Sequence, residues 1–184
     1  MRNEEAKISP AHGHVGEKKY ICVAETPPAA TASYYNQTAN MMYNVIRKMK
    51  SLCPISDETI RELESCLVQH RFPKRHLLIK ENIYTRYAYF IEKGITRSYW
   101  LADGKEITTS FAWEGSIVFS MDELYYNKPS EEFVETLEET EAYAIAHSDL
   151  NRLFETNLEL CNWGRIIHQN EYRRLHRSHK ERLT

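Results

Sequence analysis

The chain has 184 residues, 24 Lys+Arg against 26 Asp+Glu for a net charge of −2, and 42% hydrophobic residues. At roughly 100–200 residues per domain this is one domain, or a small domain with appendages, and a near-neutral balance excludes a protein that coats nucleic acid by bulk electrostatics. No apolar run approaches the roughly 18 residues of a membrane helix, the Tyr20–Ala24 run is too short for a signal-peptide core, and Cys22, Cys53, Cys66 and Cys161 are too scattered for a disulfide framework in a chain without a signal. Membrane, collagenous, mostly disordered and disulfide-scaffold classes are excluded, and free thiols in a reducing cytoplasm are expected.

Residues 1–41 read as a disordered leader. They carry Pro10, Gly13, Gly16, Pro27 and Pro28, a small-residue run from Ala29 to Ser33, and no sustained period. Met41 and Met42 stand directly before the first periodic segment and are an alternative translation start. Tyr43–Lys50 reads as a short helix with Val45, Ile46 and Met49 on one side. Pro54 breaks it. Ser56 is a good N-cap, Asp57 and Glu58 suit the helix dipole, and Ile60, Leu63 and Leu67 follow at helical spacing, which predicts a helix over 57–68.

The character then changes. Residues 69–146 are short β-branched and aromatic segments separated by turn signals every eight to twelve positions. The predicted strands are Leu77–Lys80, Tyr87–Glu92, Ile95–Trp100, Glu106–Ala112, Ile117–Phe119, Phe133–Leu137 and Ala142–Ala146. Asp103-Gly104 is a hairpin turn and Glu114-Gly115 another. Such spacing predicts a sandwich or barrel. Ser148-Asp149 are expected to cap a helix with Leu150, Leu153 and Phe154 as its apolar face. From Leu158 to Thr184 the only helix breaker is Gly164, so a long C-terminal helix follows.

Charge is segregated. Glu114 to Glu141 holds nine acids and one base, Lys128, a net of −8; Cys161 to Thr184 holds six bases and two acids, a net of +4. The bland reading is a solvated surface; the functional one is a basic helix that meets a partner. That helix offers Cys161, Arg165, His168, Tyr172, Leu175, His179 and Leu183 near 3–4 spacing, a stripe suited to packing on its own copy in a parallel dimer.

No catalytic set survives comparison with ordinary structural roles. There is no GxSxG, no HExxH and no HxH within a strand, and Cys53 and Cys66 read as buried structural thiols. A cupin-like metalloenzyme needs two strand-borne histidines, and His70, His76 and His147 are wrongly spaced for it. The chain is read as not an enzyme, with no cofactor and no metal site.

The ordered motifs LLIKEN (77–82), YFIEKG (89–94), TRSY (96–99), DGKE (103–106), FAWEG (111–115), Pro129-Ser130 and VETLE (134–138) resemble the cyclic-nucleotide-binding-like sensor domain of Crp/Fnr transcription regulators, Bacteroidetes type. The resemblance covers about residues 42–184. It implies an α+β, mainly β, double-stranded β-helix or jelly roll flanked by N-terminal helices, with 42–157 as sensor and 158–184 as a long dimerisation helix. The family's helix-turn-helix would follow that helix, so any DNA contact is assigned to an element absent from this chain.

The resemblance also implies where an effector binds. In nucleotide-binding members a glutamate holds the ribose and an arginine beside a serine neutralises the phosphate. Here Phe119 stands at the glutamate position, Pro129 at that of the arginine, and Ser130 matches the serine. A phosphate needs a cation or a dense set of N–H donors, and proline has no N–H. Cyclic AMP binding in the usual manner is therefore not expected. The candidate ligand-binding residues are Arg97, Tyr99, Phe119, Ser120 and Ser130; Arg97 either faces an anionic ligand or points outward. His168, Tyr172, Leu175 and His179 are the candidate dimer residues. The expected function is the effector-sensing and dimerisation module of a Crp/Fnr-like regulator, a homodimer with an unknown small-molecule effector. The alternatives are a stand-alone dimeric sensor or interaction protein without DNA binding, and the cupin-like metalloenzyme.

Overall fold

The computed structural model describes residues 42–182; the leader lies outside the described residues. Helix α1 (Tyr43–Leu52) buries Val45 and Met49. No side chain of its own caps it. Instead Glu92, reaching from the sheet, accepts the backbone N–H groups of Asn44 at 3.0 Å and Val45 at 3.2 Å. A carboxylate at a helix N-terminus meets both the free donors and the positive end of the dipole, which is how Glu92 stays buried. Helix α2 (Asp57–Glu64) starts as expected, with Ser56 Oγ accepting the Thr59 N–H.

The predicted end of that helix at 68 is wrong. The chain leaves α2 after Glu64, and Val68–Phe72 forms β1, antiparallel to the last strand. Strand β1 is an edge strand with a mostly exposed face, so Gln69, His70 and Arg71 give it no apolar alternation to read. The remaining strands are β2 (Leu77–Ile79), β3 (Tyr87–Lys93), β4 (Thr96–Ala102), β5 (Lys105–Ala112), β6 (Ile117–Val118), β7 (Phe133–Thr136) and β8 (Thr140–Ala146). They form two four-stranded sheets in the orders β1-β8-β3-β6 and β2-β7-β4-β5, with antiparallel neighbours throughout. The β4–β5 hairpin turns on Asp103 and Gly104, both at positive φ (51° and 74°), as a tight two-residue turn requires. Between β6 and β7 lies the short helix α3 (Met121–Tyr126). Helix α4 (His147–Thr156) follows β8 directly, and α5 (Leu158–Arg182) runs 25 residues.

The expected Ser148-Asp149 cap is also displaced. Helix α4 begins at His147, Ala146 occupies the N-cap position without a side-chain bond, and Asp149 sits in the first turn. Continuity with β8 fixes the helix start there.

Strand β3 alternates between two cores, as period-two geometry demands. Tyr89 and Ile91 point between the sheets, where they meet Leu78, Ile79, Val118, Val134, Ala142 and Ala144. Ala88 and Phe90 point to the helical side, packing with Val45, Met49, Leu63, Leu150, Leu153, Leu160 and Trp163. The roll interior is filled with side chains: Ile79, Ile91, Val134 and Ala142 are each at most 1% exposed. Gly115 lets α1 approach the β5–β6 turn, because a Cβ there would stand 2.6 Å from Lys48 Cβ. Among the described residues, no helix is long and apolar enough to cross a membrane.

Candidate functional site

The β6–α3–β7 connection carries most of the predicted site. Ser120 is the buried N-cap of α3, and its Oγ accepts the Glu123 N–H at 3.3 Å. Asn127 ends the helix in the left-handed conformation, φ 50°. The chain then folds back on the helix: the Lys128 N–H donates to the Asp122 carbonyl at 3.0 Å, and the Glu131 N–H to the Asp122 carboxylate at 3.3 Å. Ser130 is buried and engaged locally, with Oγ donating to the Glu132 carbonyl and accepting the Glu132 N–H. Its carbonyl accepts the Asn82 N–H at 2.8 Å. Ser120 and Ser130 thus both shape the connection.

The electrostatics of this turn oppose an anion. Burial, reinforced by the neighbouring Asp122, pushes the Glu132 carboxyl up to about 7. A second buried carboxyl, Glu123, accepts the Arg86 N–H on Oε2 at 2.7 Å. Among the described residues its Oε1 has no partner, and neither has the Nε2 of His147, also buried. Burial holds the His147 imidazole below its ordinary value, although Glu123 and a hydrogen bond to the Tyr87 backbone pull the other way. The His147 N–H donates to the Arg86 carbonyl at 3.0 Å, so the start of α4 and the first turn of α3 are both fastened to the backbone of residue 86.

The remaining candidates lie elsewhere. Thr96 and Ser98 share a face with interior Val134, so Arg97, one residue out of phase, projects from the outer face with Glu135 and Phe111. This is the outward of its two readings. Its guanidinium binds Glu135 and, at 2.6 Å, Glu106. It also lies over the Tyr99 ring, 4.5 Å from the centroid. Tyr99 stacks on Phe133 at 5.1 Å. Arg97 and the buried Tyr99 therefore cluster with Glu106, Glu135 and Phe133 and not with Ser120 and Ser130. The β-region histidines are also dispersed: His70 and His76 both stack on Phe72, and His147 lies against Glu123.

Phe119 points away from the roll. Its ring meets Tyr125 edge-on at 6.2 Å and His168 of α5 at 6.0 Å. Tyr125 Oη and His168 Nε2 share a hydrogen bond of 2.6 Å. His168, read as a dimer residue, is thus held within its own protomer by α3. Tyr172, Leu175 and His179 line one exposed groove together with His176 and Ser178. The sequence reading placed Tyr125 beside Phe119 in an apolar pocket but missed Trp163 and the pairing of Tyr125 with His168 across this seam. Their positions at α3 and one turn before His168 become informative only once α3 is recognised, and Ser120, Asp122-Glu123 and Asn127 carried that helix signal.

Comparison with known proteins agrees with this architecture. Residues 69–157 match the family described as the cyclic nucleotide-binding domain. No curated protein matches the sequence. Among solved structures, the chain is similar to a cyclic nucleotide-binding domain from Methylobacillus flagellatus, with 17% identity, TM-score 0.66, and 79% and 84% of the two chains covered. It is similar to the Thermus thermophilus catabolite activator protein at 16% identity and TM-score 0.60, covering 73% of this chain and 61% of that one. It is also similar to the c-di-GMP responsive global regulator of Xanthomonas campestris, at 20% identity and TM-score 0.57, covering 65% and 59%. The fold is a mainly β cyclic-nucleotide-binding jelly roll with flanking helices and a long C-terminal helix. The chain spans 61% of the Thermus regulator, and 44% of the Toxoplasma gondii kinase regulatory domain it also resembles.

Proposed function

We propose that residues 42–157 are the effector-sensing part, and 158–184 the dimerisation helix, of a Crp/Fnr-like transcription regulator that does not take cyclic AMP in the usual manner. The observation that carries this reading is the α3–α5 latch: Phe119 and Tyr125 of the β6–β7 connection grip His168, while Tyr172 and Leu175 further along the same helix stand exposed. A change at the connection moves the helix that meets the second copy. That is a population shift between two α5 placements, transmitted to whatever DNA-reading element the helix carries. The acidic connection, with Pro129 in place of a cation and the acids Asp122, Glu123 and Glu131 around it, repels a phosphate rather than neutralising it. Arg97 is already paired with two carboxylates. The expected location is the cytoplasm.

Calorimetry with cyclic AMP and cyclic GMP tests the reading. Binding no tighter than about 1 mM is expected, near −4 kcal/mol; micromolar affinity for either nucleotide overturns it. The stand-alone dimeric sensor is the second reading, and the exposed Tyr172–Leu175 face supports it equally. A gel shift with the 184-residue chain that shows DNA binding would contradict both.

A further inference from the structure

The roll interior and the seam beside α5 differ in kind as places for an effector. The roll interior is packed solid by Ile79, Ile91, Val134 and Ala142. The seam between α3, α4 and α5 holds a partly open cavity of about 10 Å³ lined by Phe119, Leu124, Tyr125, Trp163, Ile167 and His168, with room for about one water. Its walls are apolar, and the two polar side chains at its edge, Tyr125 and His168, satisfy each other. Trp163, one of the lining residues, is 2% exposed, and its Nε1–H, which can only donate, has no partner among the described residues. Leaving a buried donor unpaired costs roughly 1–3 kcal/mol, and a single water on one donor with apolar walls is poorly held, since buried waters typically make about three hydrogen bonds.

The edge of this seam can open. Tyr125 is 43% exposed and belongs to a six-residue helix. Only its bond to His168 and the edge contacts with Phe119 and His168 close the cavity on that side. The deep wall is firm: Trp163 stacks on Phe90 at 5.8 Å. Gly164 lies so near Phe154 that a Cβ would stand 3.1 Å from its ring.

We propose that this seam is the effector site, and that it takes a small, uncharged, apolar molecule carrying one hydrogen-bond acceptor. The ligand displaces Tyr125 from His168, places its acceptor on the Trp163 Nε1–H and its apolar body against Phe119, Leu124 and Ile167. The inference rests on the sensor reading above and gives it a location and a ligand class. An anion is disfavoured by the nearby acidic connection, and a molecule without an acceptor leaves the indole N–H unpaired.

The test is a titration of the ¹⁵N-labelled full chain with acetophenone, which has an aromatic body and one carbonyl. The chain has Trp100, Trp113 and Trp163, so its indole N–H resonances are assigned with Trp163→Phe. A saturable shift of the Trp163 resonance, with Trp100 and Trp113 unmoved, is expected. Tyr125→Phe removes the bond that closes the seam and tightens apparent binding about three- to tenfold. Ile167→Phe, checked for folding by its unchanged circular dichroism, fills the cavity and abolishes the shift. The proposal is overturned if the Trp163 resonance does not saturate, if Ile167→Phe binds as well as the native chain, or if the ligand shifts interior residues such as Ile91 and Val134 instead. Sedimentation with and without acetophenone separates the two ideas: a Trp163 shift without any change in self-association keeps this site and removes the sensor reading.

Discussion

The two halves of α5 belong to different surfaces. In the first, Leu160 and Trp163 are almost fully buried against α1, α2, α4 and β3, and Asn157 and Glu159 tie the start of the helix to α2 through Thr59, Glu62 and Ser56. In the second, Tyr172 is 74% and Leu175 56% exposed. Both halves carry apolar residues at helical spacing, so the difference is one of partners. The first half completes the protomer's own core. The second presents apolar surface that no other described residue covers, beside Arg173, Arg174 and Arg177. The boundary falls at His168, where α3 reaches across to hold the helix.

That contrast breaks most sharply at Trp163. Trp163→Ala is expected to destabilise the protein by about 3–5 kcal/mol, read from urea unfolding, because it empties a packed site between β3 and α5. Leu175→Ala, by the same measurement on the protomer, stays within about 0.5 kcal/mol. Equal losses at the two positions would erase the distinction.

The next effect concerns the acidic connection that α3 sits in. A carboxyl whose value rises on folding binds a proton in the native state before it does in the unfolded one. Glu132 therefore adds stability at low pH that is lost as the pH rises from its ordinary value, near 4.5, to about 7. Glu132→Gln should remove this slope and raise stability at pH 8 by on the order of 1–3 kcal/mol. His147 acts in the opposite sense: its value is lowered, so its contribution holds above the ordinary histidine range and fades as the pH falls through it. An unfolding profile for Glu132→Gln that keeps the native pH slope would refute the assignment to this residue.

The smallest effect belongs to the latch. Tyr125→Phe keeps the ring contacts with Phe119 and His168 and removes one hydrogen bond, so a loss of about 1 kcal/mol is expected, with faster amide exchange in α3. Unchanged exchange in α3 would mean that packing alone holds the helix.

Much of this was legible in the residues. The roll was readable because Tyr87–Glu92 is a short aromatic-rich run and Glu106–Ala112 alternates, with turn chemistry at Asp103-Gly104 and Glu114-Gly115. Strand β1 was not, because an exposed edge strand such as Val68–Phe72 is chosen by its pairing with β8 rather than by its own composition. The candidate site was only half legible. Positions 119, 120 and 130 lie in the connection as expected, but strand phase puts Arg97 outside, and a one-residue difference in phase is set by register with Val134 and Glu135, which a single strand does not encode. His168 looked like its neighbours in the stripe; only the fold brings Tyr125 to it.

The central claim is that the exposed half of α5 meets a second copy while the buried half does not. Sedimentation equilibrium of the full chain against Leu175→Glu tests it most directly. The account predicts a native dimer at micromolar concentration and a Leu175→Glu monomer with unchanged circular dichroism. A native chain that sediments as a monomer, or a Leu175→Glu variant that stays dimeric, would contradict it.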